Sequence, residues 1–487
     1  MIEKKTKIVC TIGPASQTKE ILSKLIDAGM NVARFNFSHG SYDEHLEKLN
    51  TVREVEKEKN VIIPVMLDTK GPEIRTHLFK GGQASIETNS IVSIYMDEIE
   101  GDNTKFSVTY KGLFDDVKVG DSIRLDDGNL GLEVVDKDDK NHIIITKALN
   151  HHIIKNRRGV NCPQTHLTLP YISEKDYNDL LWGCENKVDY VAASFVRNVK
   201  DILDIRKVLD EHDGKDIKII SKIENTEAIA NLDEIINASD GLMVARGDLG
   251  VEVPPEDVPV IQKDMIHKCR VLGKPVITAT QMLDSMKTNP NPTRAEVSDV
   301  ATAVLESTDS VMLSAESASG EYPVEATSMQ ARIAKKMESC LDYSSLLHEA
   351  YETSNKSLND ALANAVSNTA LLLNAQLIVC FSETGSTARR LSKCRPVCPI
   401  IEVSNSRSAC IAGMMGWGVY PKLVKHVPQF IEEMEVLAIH IAKQHKIPSG
   451  SKIIITGGTP VGAGKTNFLK VITFNEKGSN IDLWVTK

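Results

Sequence analysis

The sequence predicts an α/β protein whose largest part is a (β/α)8 TIM barrel, with a small all-β domain inserted into it and a separate α/β domain after it. Three observations lead to this prediction. Eight short apolar runs rich in β-branched residues alternate with segments of helical period between residues 7 and 316. A long segment of short strands interrupts this alternation once, and a second group of strand-like runs follows residue 340.

The eight apolar runs are the predicted barrel strands. Several of them end in polar or charged residues, and barrel enzymes carry their chemistry at that end of the strands. The predicted strands cover residues 7–12, 32–38, 62–69, 190–195, 217–224, 241–248, 275–282 and 310–316.

The insert lies between the third and fourth predicted strands. The interval from residue 69 to residue 190 is longer than one helix and two loops require, and it contains alternating runs at 90–96 and 142–149. An insert at this position could act as a lid over the barrel mouth. The expected domains are barrel residues 1–72, a β-rich lid domain over 73–168, barrel residues 169–345 and a C-terminal α/β domain over 346–487. The strands expected in the last domain cover 376–381, 397–404, 451–456, 467–474 and 481–486.

The charge of the chain argues against a polyanionic partner. Its 57 Lys and Arg residues against 66 Asp and Glu give a net charge of −9, so nucleic acid is not expected to bind. The first residues lack the apolar stretch of an export signal, and no run reaches the length of a membrane span. The nine cysteines include no Cys-x-x-Cys pair. We therefore expect a cytoplasmic protein that makes no membrane contact.

Charged residues follow the fifth and sixth predicted strands. Lys222 and Glu224 end the fifth strand, and Asp248 ends the sixth. Because neighbouring parallel strands end at the same rim, the two carboxylates could hold a divalent cation such as Mg²⁺ with the ammonium beside it. A metal and an ammonium together stabilise charge on a phosphoryl group or an enolate. The alternative is a set of ion pairs that only completes the packing of the barrel.

The other strand ends supply a second group of polar residues. Arginines among them suit phosphate, because a planar guanidinium offers paired donors at fixed spacing. One subset offers neutral oxygens with a single carboxylate, which suits a monovalent cation: Asn36, Ser38, Asp68 and Thr69. The remaining members are Arg34, His39, Arg75, Thr280, Ser314 and Glu316. Each of these alone could be a hydrogen-bonding cap, but their convergence on one rim favours a functional site.

Two loops of the C-terminal domain could bind an anion. Residues 382–393 follow a strand and open a helical pattern, so hydroxyls and free N–H groups lie at a predicted helix start. The alternative there is plain N-capping by Ser382 or Thr384. The segment 457–466 is not a nucleotide P-loop, because Thr459 occupies the position of the required glycine, although it could close over an anion or form a tight turn. The predicted effector-site residues are Ser382, Thr384, Gly385, Ser386, Thr387, Gly462 and Gly464.

Five motifs resemble those of the pyruvate kinase family, in the family's order and across the whole chain. They read VARFNFSHG (32–40), LDTKGPEIRT (67–76), IKIISKIEN (217–225), MVARGDLGVE (243–252) and ATQMLDSM (279–286). The resemblance implies transfer of a phosphoryl group from phosphoenolpyruvate to ADP, giving ATP and pyruvate in the last step of glycolysis. It also implies Mg²⁺ (or Mn²⁺) and K⁺ as cofactors, a homotetramer and activation by a phosphorylated allosteric effector.

The resemblance assigns roles to individual residues. Lys222 would stabilise the transferring phosphoryl group, and Glu224 and Asp248 would bind Mg²⁺. The expected substrate contacts are Arg34, Gly247, Asp248 and Thr280; the expected nucleotide contacts are Asn36, His39, Arg75, Arg158 and Lys175. The expected potassium site comprises Asn36, Ser38, Asp68 and Thr69. The further catalytic residues are Arg34 and Arg75, which face phosphates, and Thr280, Ser314 and Glu316, which surround a water relay to enolpyruvate. The sequence departs from the family at Ala315, Ser317 and Ser319, where Gly, Thr and Lys are frequent.

Two other functions are compatible with these residues. The first is a barrel aldolase or lyase that uses Lys222 as a Schiff base, although Glu224 would favour the charged ammonium over the required neutral amine. The second is an inactive regulatory protein that keeps the fold; it should have lost one of the central charged residues, and all of them are present.

Two single residues refine the expectations. Glu73 resembles the potassium-dependent members of the family, whereas a Lys there would supply a built-in charge; the alternative is a solvated carboxylate at the hinge of the lid. Glu383 lies in the predicted effector loop. Because its carboxylate would repel a second phosphate, a monophosphate is expected rather than a sugar bisphosphate.

Overall fold

A closed barrel of eight parallel strands forms the centre of the molecule, which confirms the predicted fold class. The computed structural model describes residues 4–459 and 466–475. Each predicted apolar run contains one barrel strand, and the first strand pairs with the eighth to close the barrel. The strands are Lys7–Thr11, Val32–Asn36, Val65–Asp68, Tyr190–Ala193, Lys218–Ile223, Gly241–Ala245, Val276–Ala279 and Ser310–Leu313.

The barrel strands are covered on both faces, which is why they read as continuous apolar runs. Side chains such as Ile8 and Phe35 pack outward against the helices, whereas Val9 and Met243 fill the interior. The helices associated with the barrel are Lys19–Ala28, Tyr42–Lys59, Glu174–Glu185, Val199–Glu211, Thr226–Ala230, Leu232–Ala238, Arg246–Glu252, Val258–Leu272, Arg294–Leu305, Ala315–Ala318 and Pro323–Glu338. Short 3-10 turns cover Pro255–Asp257 and Asp284–Lys287.

The inserted segment forms a β domain with its own core of buried residues. It contains a seven-stranded sheet and a two-stranded one, together with one short helix, Leu113–Asp116, and a 3-10 turn, Lys80–Gly82. The domain contacts the barrel rim through Asn161, whose Nδ2 donates to Glu252 Oε1 at 3.2 Å. Its strands are Ile74–Arg75, Gln83–Ile86, Ile91–Tyr95, Lys105–Ser107, Ser122–Leu125, Leu130–Asp138, Ile143–Ala148, His152–Lys155 and Gly159–Asn161.

The C-terminal segment folds around a five-stranded sheet whose last strand is antiparallel. Its strands are Leu377–Phe381, Ile400–Ser404, Val419–Leu423, Lys452–Gly457 and Phe468–Thr473, and its helices are Tyr343–Glu352, Leu358–Leu372, Ser386–Lys393, Arg407–Met414 and Ile431–Gln444. Sequence analysis missed the strand Val419–Leu423, because Pro421 lies at its middle; the strand is tolerated since it is at the edge of the sheet. The strand predicted at 481–486 lies outside the described residues.

A helix of the C-terminal domain closes the bottom of the barrel. Ile411 and Met414, on the helix Arg407–Met414, belong to the same apolar cluster as the interior barrel residues. The Tyr190 hydroxyl, at the start of the fourth barrel strand, donates to the Ile411 carbonyl. The barrel and the C-terminal domain therefore share one buried contact surface at the face opposite the strand ends that carry the chemistry.

Two further expectations can be compared with the described part of the chain. Among its helices, none combines the length and the apolar character that crossing a membrane requires. All nine cysteines are free thiols, and eight of them are buried.

Candidate active site

Polar side chains from several barrel strands lie at the carboxyl-terminal rim, and Lys222 contacts three of them. Its Nζ donates to Ser194 Oγ at 2.7 Å and to Asp68 Oδ1 at 3.2 Å, and it lies 2.9 Å from Glu224 Oε1. Burial alone would lower the pKa of Lys222, but the Asp68 and Glu224 carboxylates raise it above its ordinary value. Lys222 is therefore a charged ammonium, which removes the neutral amine that a Schiff-base enzyme needs.

Asp68 joins Lys222 to Arg34. Its second carboxylate oxygen, Oδ2, accepts from Arg34 Nε at 2.6 Å, and Arg34 Nη1 donates to Thr11 Oγ1 at 2.8 Å. Burial raises the pKa of Asp68, but Arg34 and Lys222 outweigh it and the net shift is downward. The Asp68 carboxylate is thus charged, and it holds two cations at fixed positions on the rim.

Glu224 and Asp248 form the predicted carboxylate pair, and they are close enough to share a hydrogen bond. Burial raises the pKa of Glu224 to about 7; Lys222 opposes this shift and Asp248 adds to it. Burial also raises the pKa of Asp248. Two carboxylates this close repel each other unless a proton or a cation lies between them.

The carboxylate pair fits a hard divalent cation. Glu224 Oε2 accepts from the Phe195 backbone N–H at 2.6 Å, which fixes the side chain. Oε1 is buried, and the Lys222 ammonium lies 2.9 Å from it. Carboxylate oxygens held at fixed positions are the ligands that Mg²⁺ prefers. No group of three or more His, Cys, Asp or Glu side chains in the described ranges could hold a metal.

Thr280 has a strained backbone at the end of the seventh strand. Its φ is +68°, a left-handed conformation that is rare for a β-branched residue. Such a conformation persists only where contacts with neighbouring residues hold it in place. Its hydroxyl accepts from the Gly247 N–H at 2.8 Å, and its carbonyl accepts from Arg246 Nη2 at 2.7 Å. The helix Arg246–Glu252 begins directly after the sixth strand, and the Thr280 hydroxyl contacts its first turn.

Glu316 holds the loop after the eighth strand. Its carboxylate accepts from the backbone N–H groups of Ser314 at 2.8 Å and Leu283 at 3.2 Å. Within the described residues, no hydrogen bond connects the Thr280 hydroxyl to Ser314 or Glu316. The predicted relay residues lie on neighbouring strand ends, and their role in proton transfer stays a prediction.

The predicted potassium residues lie at two adjacent strand ends. Asn36 and Asp68 are register partners between the second and third strands. Asn36 Oδ1 accepts from the Ser38 N–H at 3.0 Å, and the Thr69 hydroxyl donates to the Ala192 carbonyl at 3.3 Å. Binding of a monovalent cation by these residues stays a prediction.

Glu73 lies at the start of the β domain and is not a solvated carboxylate. Its Oε1 is 2.5 Å from Arg75 Nη2, and its Oε2 is 3.7 Å from Lys70 Nζ. The Glu73 side chain is only 18% exposed. It therefore links the end of the third strand to the hinge of the inserted domain.

The predicted nucleotide contacts form two groups. Lys175 Nζ donates to the Phe37 carbonyl at 2.8 Å, so it lies beside the end of the second strand, near the exposed His39. Arg75 and Arg158 lie in the β domain, where Arg158 directly precedes the strand that pairs with Arg75. The two groups belong to different domains.

Sequence analysis missed Ser194 and the Phe195 N–H. Both follow the fourth barrel strand, whose run YVAASF was noted without a functional residue. Ser194 Oγ donates to the Thr69 carbonyl at 2.6 Å as well as accepting from Lys222. The Ser194 hydroxyl directly after this strand could have indicated a site residue. The Phe195 backbone N–H could not, because the residue type does not show what a backbone group binds.

Comparisons with known proteins cover most of the chain. The family model described as pyruvate kinase, barrel domain, matches residues 3–327, and the one described as pyruvate kinase, alpha/beta domain, matches residues 360–472. The chain belongs to the pyruvate kinase family. It is 47% identical to a pyruvate kinase of Geobacillus stearothermophilus over 484 residues, which is 99% of this chain and 82% of the relative.

Two further pyruvate kinases support the same assignment. The chain is 48% identical to one of Staphylococcus aureus (strain MRSA252) over 478 residues, 98% of this chain and 82% of the relative. A crystal structure of a pyruvate kinase from Cryptosporidium parvum is similar with a TM-score of 0.92 and 39% identity, covering 97% of this chain and 96% of that one. Members of the family are phosphotransferases of glycolysis, and this chain is one of them.

The predicted effector loop of this chain lies at the start of the helix Ser386–Lys393. The alternative of N-capping by Ser382 or Thr384 was wrong: Gly385, with φ +78°, caps the helix, and Ser382 Oγ accepts the Gly385 N–H at 3.0 Å. A left-handed cap favours glycine, which explains the preference. The Thr387 hydroxyl hydrogen-bonds with that of Thr466 at 2.7 Å, so the helix contacts the end of the Gly-rich loop. Gly462 and Gly464 lie outside the described residues.

Proposed function

We propose that this protein catalyses phosphoryl transfer from phosphoenolpyruvate to ADP, with a proton taken up to give ATP and pyruvate. The observation that carries the proposal is the Lys222 ammonium, buried at the barrel rim between Asp68 and the carboxylate pair of Glu224 and Asp248. A charged donor held in a dry site stabilises negative charge that develops during phosphoryl transfer far better than one in water.

Lys222 and Arg34 position the phosphoryl group. The Arg34 side chain is nearly buried and fixed by Asp68 and Thr11, so its guanidinium presents the remaining donors at a defined angle. Lys222 is fixed on the opposite side of Asp68. Mg²⁺ held by Glu224 and Asp248 would neutralise charge on the phosphoryl oxygens when bound.

Gly247, Asp248 and Thr280 bind and orient the three-carbon part of the substrate. The first turn of the helix Arg246–Glu252 carries backbone donors, and Thr280 fixes it from the neighbouring strand. Because Arg246 holds the Thr280 backbone, the substrate carboxylate meets a preorganised pocket. We place the proton delivery to enolpyruvate on the same side, through water between Thr280, Ser314 and Glu316.

A monovalent cation of potassium size completes the site beside the phosphoryl group. Asn36, Ser38, Asp68 and Thr69 would bind it, and Asp68 is the member that also contacts Arg34 and Lys222. The cation would offset part of the negative charge that the transferring group brings to the rim.

The inserted β domain acts as a lid that brings part of the nucleotide site. Arg75 and Arg158 belong to it, whereas His39, Asn36 and Lys175 belong to the barrel. Closure of the lid would bring both groups to ADP and exclude water from the transfer step. We further propose a cytoplasmic homotetramer, activated by a phosphorylated metabolite at the helix start Gly385–Thr387.

The decisive experiment measures ATP formation by the purified protein. Phosphoenolpyruvate, ADP and KCl are supplied with and without Mg²⁺, and pyruvate is measured in parallel. We expect both products in equal amounts, and only with the divalent cation. An inactive protein under these conditions would contradict the proposal and favour a regulatory role for the fold.

The effector site is tested by titrating activity with ribose 5-phosphate, AMP and fructose 1,6-bisphosphate. We expect a monophosphate to shift the phosphoenolpyruvate saturation curve and the bisphosphate to act weakly, because Glu383 is exposed in the same loop. If none of the three compounds shifts the phosphoenolpyruvate saturation curve, the loop has only a structural role.

A further inference from the structure

A basic cleft lies between the bottom of the barrel and the C-terminal domain, far from the strand ends that carry the active site. It lies between the end of the barrel helix Val258–Leu272 and the end of the helix Ser386–Lys393, and it is open to solvent. Its charged lining residues are five cations and one carboxylate: Arg270, Lys274, Arg389, Lys393, Arg395 and Asp309.

Two of the five cations are already paired. Arg395 Nη1 is 3.0 Å from Asp309 Oδ1, and Arg270 contacts Glu349. Lys274 Nζ donates to backbone carbonyls, among them that of Asn237 at 3.0 Å, but has no carboxylate within ion-pair distance.

Two other cations and one further donor lack partners. The side chains of Arg389 and Lys393 form neither a hydrogen bond nor an ion pair with any described residue. Arg395 is 2% exposed, and its Nε is buried without a hydrogen-bond acceptor among the residues that the structure describes. A buried donor without an acceptor costs free energy, and such a group in a native fold calls for an explanation such as a bound ion.

The unpaired cations repel one another. Burial lowers the pKa of Arg389, and the charge of Arg390 lowers it further, while Asp240 opposes the shift. Burial also lowers the pKa of Lys274, and Arg389 contributes to that shift. Neighbouring positive charges therefore contribute to the lowered pKa values of Arg389 and Lys274.

The negative charges around the cleft are fewer than its unpaired positive charges. Lys274, Arg389 and Lys393 supply three unpaired charges, Asp240 supplies one opposite charge nearby, and the two helix C-termini supply about half a charge each. About one positive charge remains, together with the unused Arg395 donor. Helix-end capping thus explains part of the cluster but not all of it.

We propose that this cleft binds a tetrahedral oxyanion, either free inorganic phosphate or the phosphoryl group of a small metabolite. Arg389, Lys393 and the Nε of Arg395 hold it from the C-terminal domain, and Lys274 holds it from the barrel. Guanidinium groups suit such an anion because they present paired donors at fixed spacing. The bound anion ties the two domains together through the helix that begins at Gly385.

The test measures stabilisation of the whole protein by phosphate. Thermal unfolding midpoints are recorded against inorganic phosphate, and separately against glycerol 3-phosphate, at constant ionic strength. The variants are the double substitution Arg389→Gln/Lys393→Gln and the control Lys425→Gln, which removes an exposed charge of the same domain outside the cleft. Any binding at the active site contributes equally to all three proteins.

We expect phosphate to raise the midpoint of the wild type and of the control, and the double variant to lose at least half of this rise. A full rise in the double variant overturns the proposal. An equal rise with glycerol 3-phosphate identifies a phosphorylated metabolite as the ligand, whereas a rise with phosphate alone identifies the free ion.

A second measurement remains informative if the double variant folds poorly. Crystals of the wild type, grown without phosphate or sulfate, are soaked in selenate, whose selenium is located by anomalous scattering. We expect a peak between Arg389 and Lys393. Its absence, when a selenium peak occupies another site in the same crystal, overturns the proposal independently of catalysis.

Discussion

Arg246 Nη2 donates a hydrogen bond of 2.7 Å to the Thr280 carbonyl, so one guanidinium joins the ends of the sixth and seventh barrel strands. The same side chain lies 2.5 Å from Asp299 through Nη1 and donates to the Ala279 carbonyl at 3.1 Å. Thr280 adopts a left-handed backbone, which costs of order 1–3 kcal/mol unless neighbouring contacts hold it. Arg246 is therefore a positioning residue for the substrate pocket.

Replacing Arg246 with Gln is expected to lower kcat about 10- to 100-fold, because displacing a substrate-binding group by about 1 Å has effects of that size. The measurement is steady-state kinetics with phosphoenolpyruvate as the varied substrate. Arg246→Lys keeps the charge but loses the paired donors, so it should recover only part of the activity. An unchanged kcat in both variants would show that Thr280 holds its conformation without Arg246.

The fold was largely predictable, and the reason is visible in the barrel strands. Their apolar runs are continuous because both faces are buried, and eight such runs with helical connections leave few topologies to consider. The carboxylate pair and Lys222 were predictable for the same reason, since charged residues directly after buried strands have one rim to occupy.

Other features had no signal in the sequence. The partnerless Arg395 Nε and the basic cleft arise from contacts between two domains, which local patterns do not encode. The strain at Thr280 is a backbone property of the folded chain, and a β-branched residue does not favour it. Gly385 was assigned to the effector loop as a ligand, whereas the structure shows it also capping the helix.

Lys222→Met is expected to reduce kcat by at least about 100-fold while the fold is retained. The fold should survive because Arg34 continues to neutralise Asp68, and Glu224, whose pKa is raised to about 7, can take up a proton. Kinetics and the circular dichroism spectrum are measured together. Lys207→Met, at an exposed barrel-helix position, is the control and should be fully active. Normal turnover in Lys222→Met would end the assignment of Lys222.

Glu402 gives a pH-dependent stability prediction in the C-terminal domain. It is fully buried on the strand Ile400–Ser404, and neither carboxylate oxygen has a hydrogen-bond partner. Burial raises its pKa from 4.5 to about 8, so the folded state favours the neutral acid. The stability that this neutral form provides is fully present below about pH 4.5 and is lost as the pH rises towards about 8.

Glu402→Gln removes this titration, because an amide stays neutral throughout. Between about pH 5 and about pH 8, the free energy of unfolding of the wild type should therefore fall relative to that of the variant, by on the order of a few kcal/mol. The thermal unfolding midpoint, measured against pH, should fall with it. Glu383→Gln, which neutralises an exposed carboxylate of the same domain, is the control. Parallel pH profiles for wild type and Glu402→Gln would contradict a buried neutral acid.

Activity is expected to require a monovalent cation of potassium size. Asn36, Ser38, Asp68 and Thr69 offer one full negative charge, and this charge is already shared between Arg34 and Lys222. The remaining negative charge is therefore too small to neutralise a second divalent ion. A monovalent cation with neutral oxygen ligands fits this charge better. In buffers whose only monovalent cation is a bulky organic one, activity should fall sharply and return on addition of KCl.

Substitutions at Glu73 test whether the charge at this position affects the potassium requirement. Glu73→Lys should depend less on potassium, because it places an ammonium close to the ends of the strands that would bind the ion, as in family members with a built-in charge. Glu73→Gln is the matched control: it breaks the contact with Arg75 without adding an ammonium, so it should keep the full potassium dependence. The measurement is activity against KCl concentration for the three proteins. If Gln and Lys reduce the dependence equally, the contact with Arg75 sets it rather than the charge at residue 73, and full activity of the wild type without potassium would remove the cation site altogether.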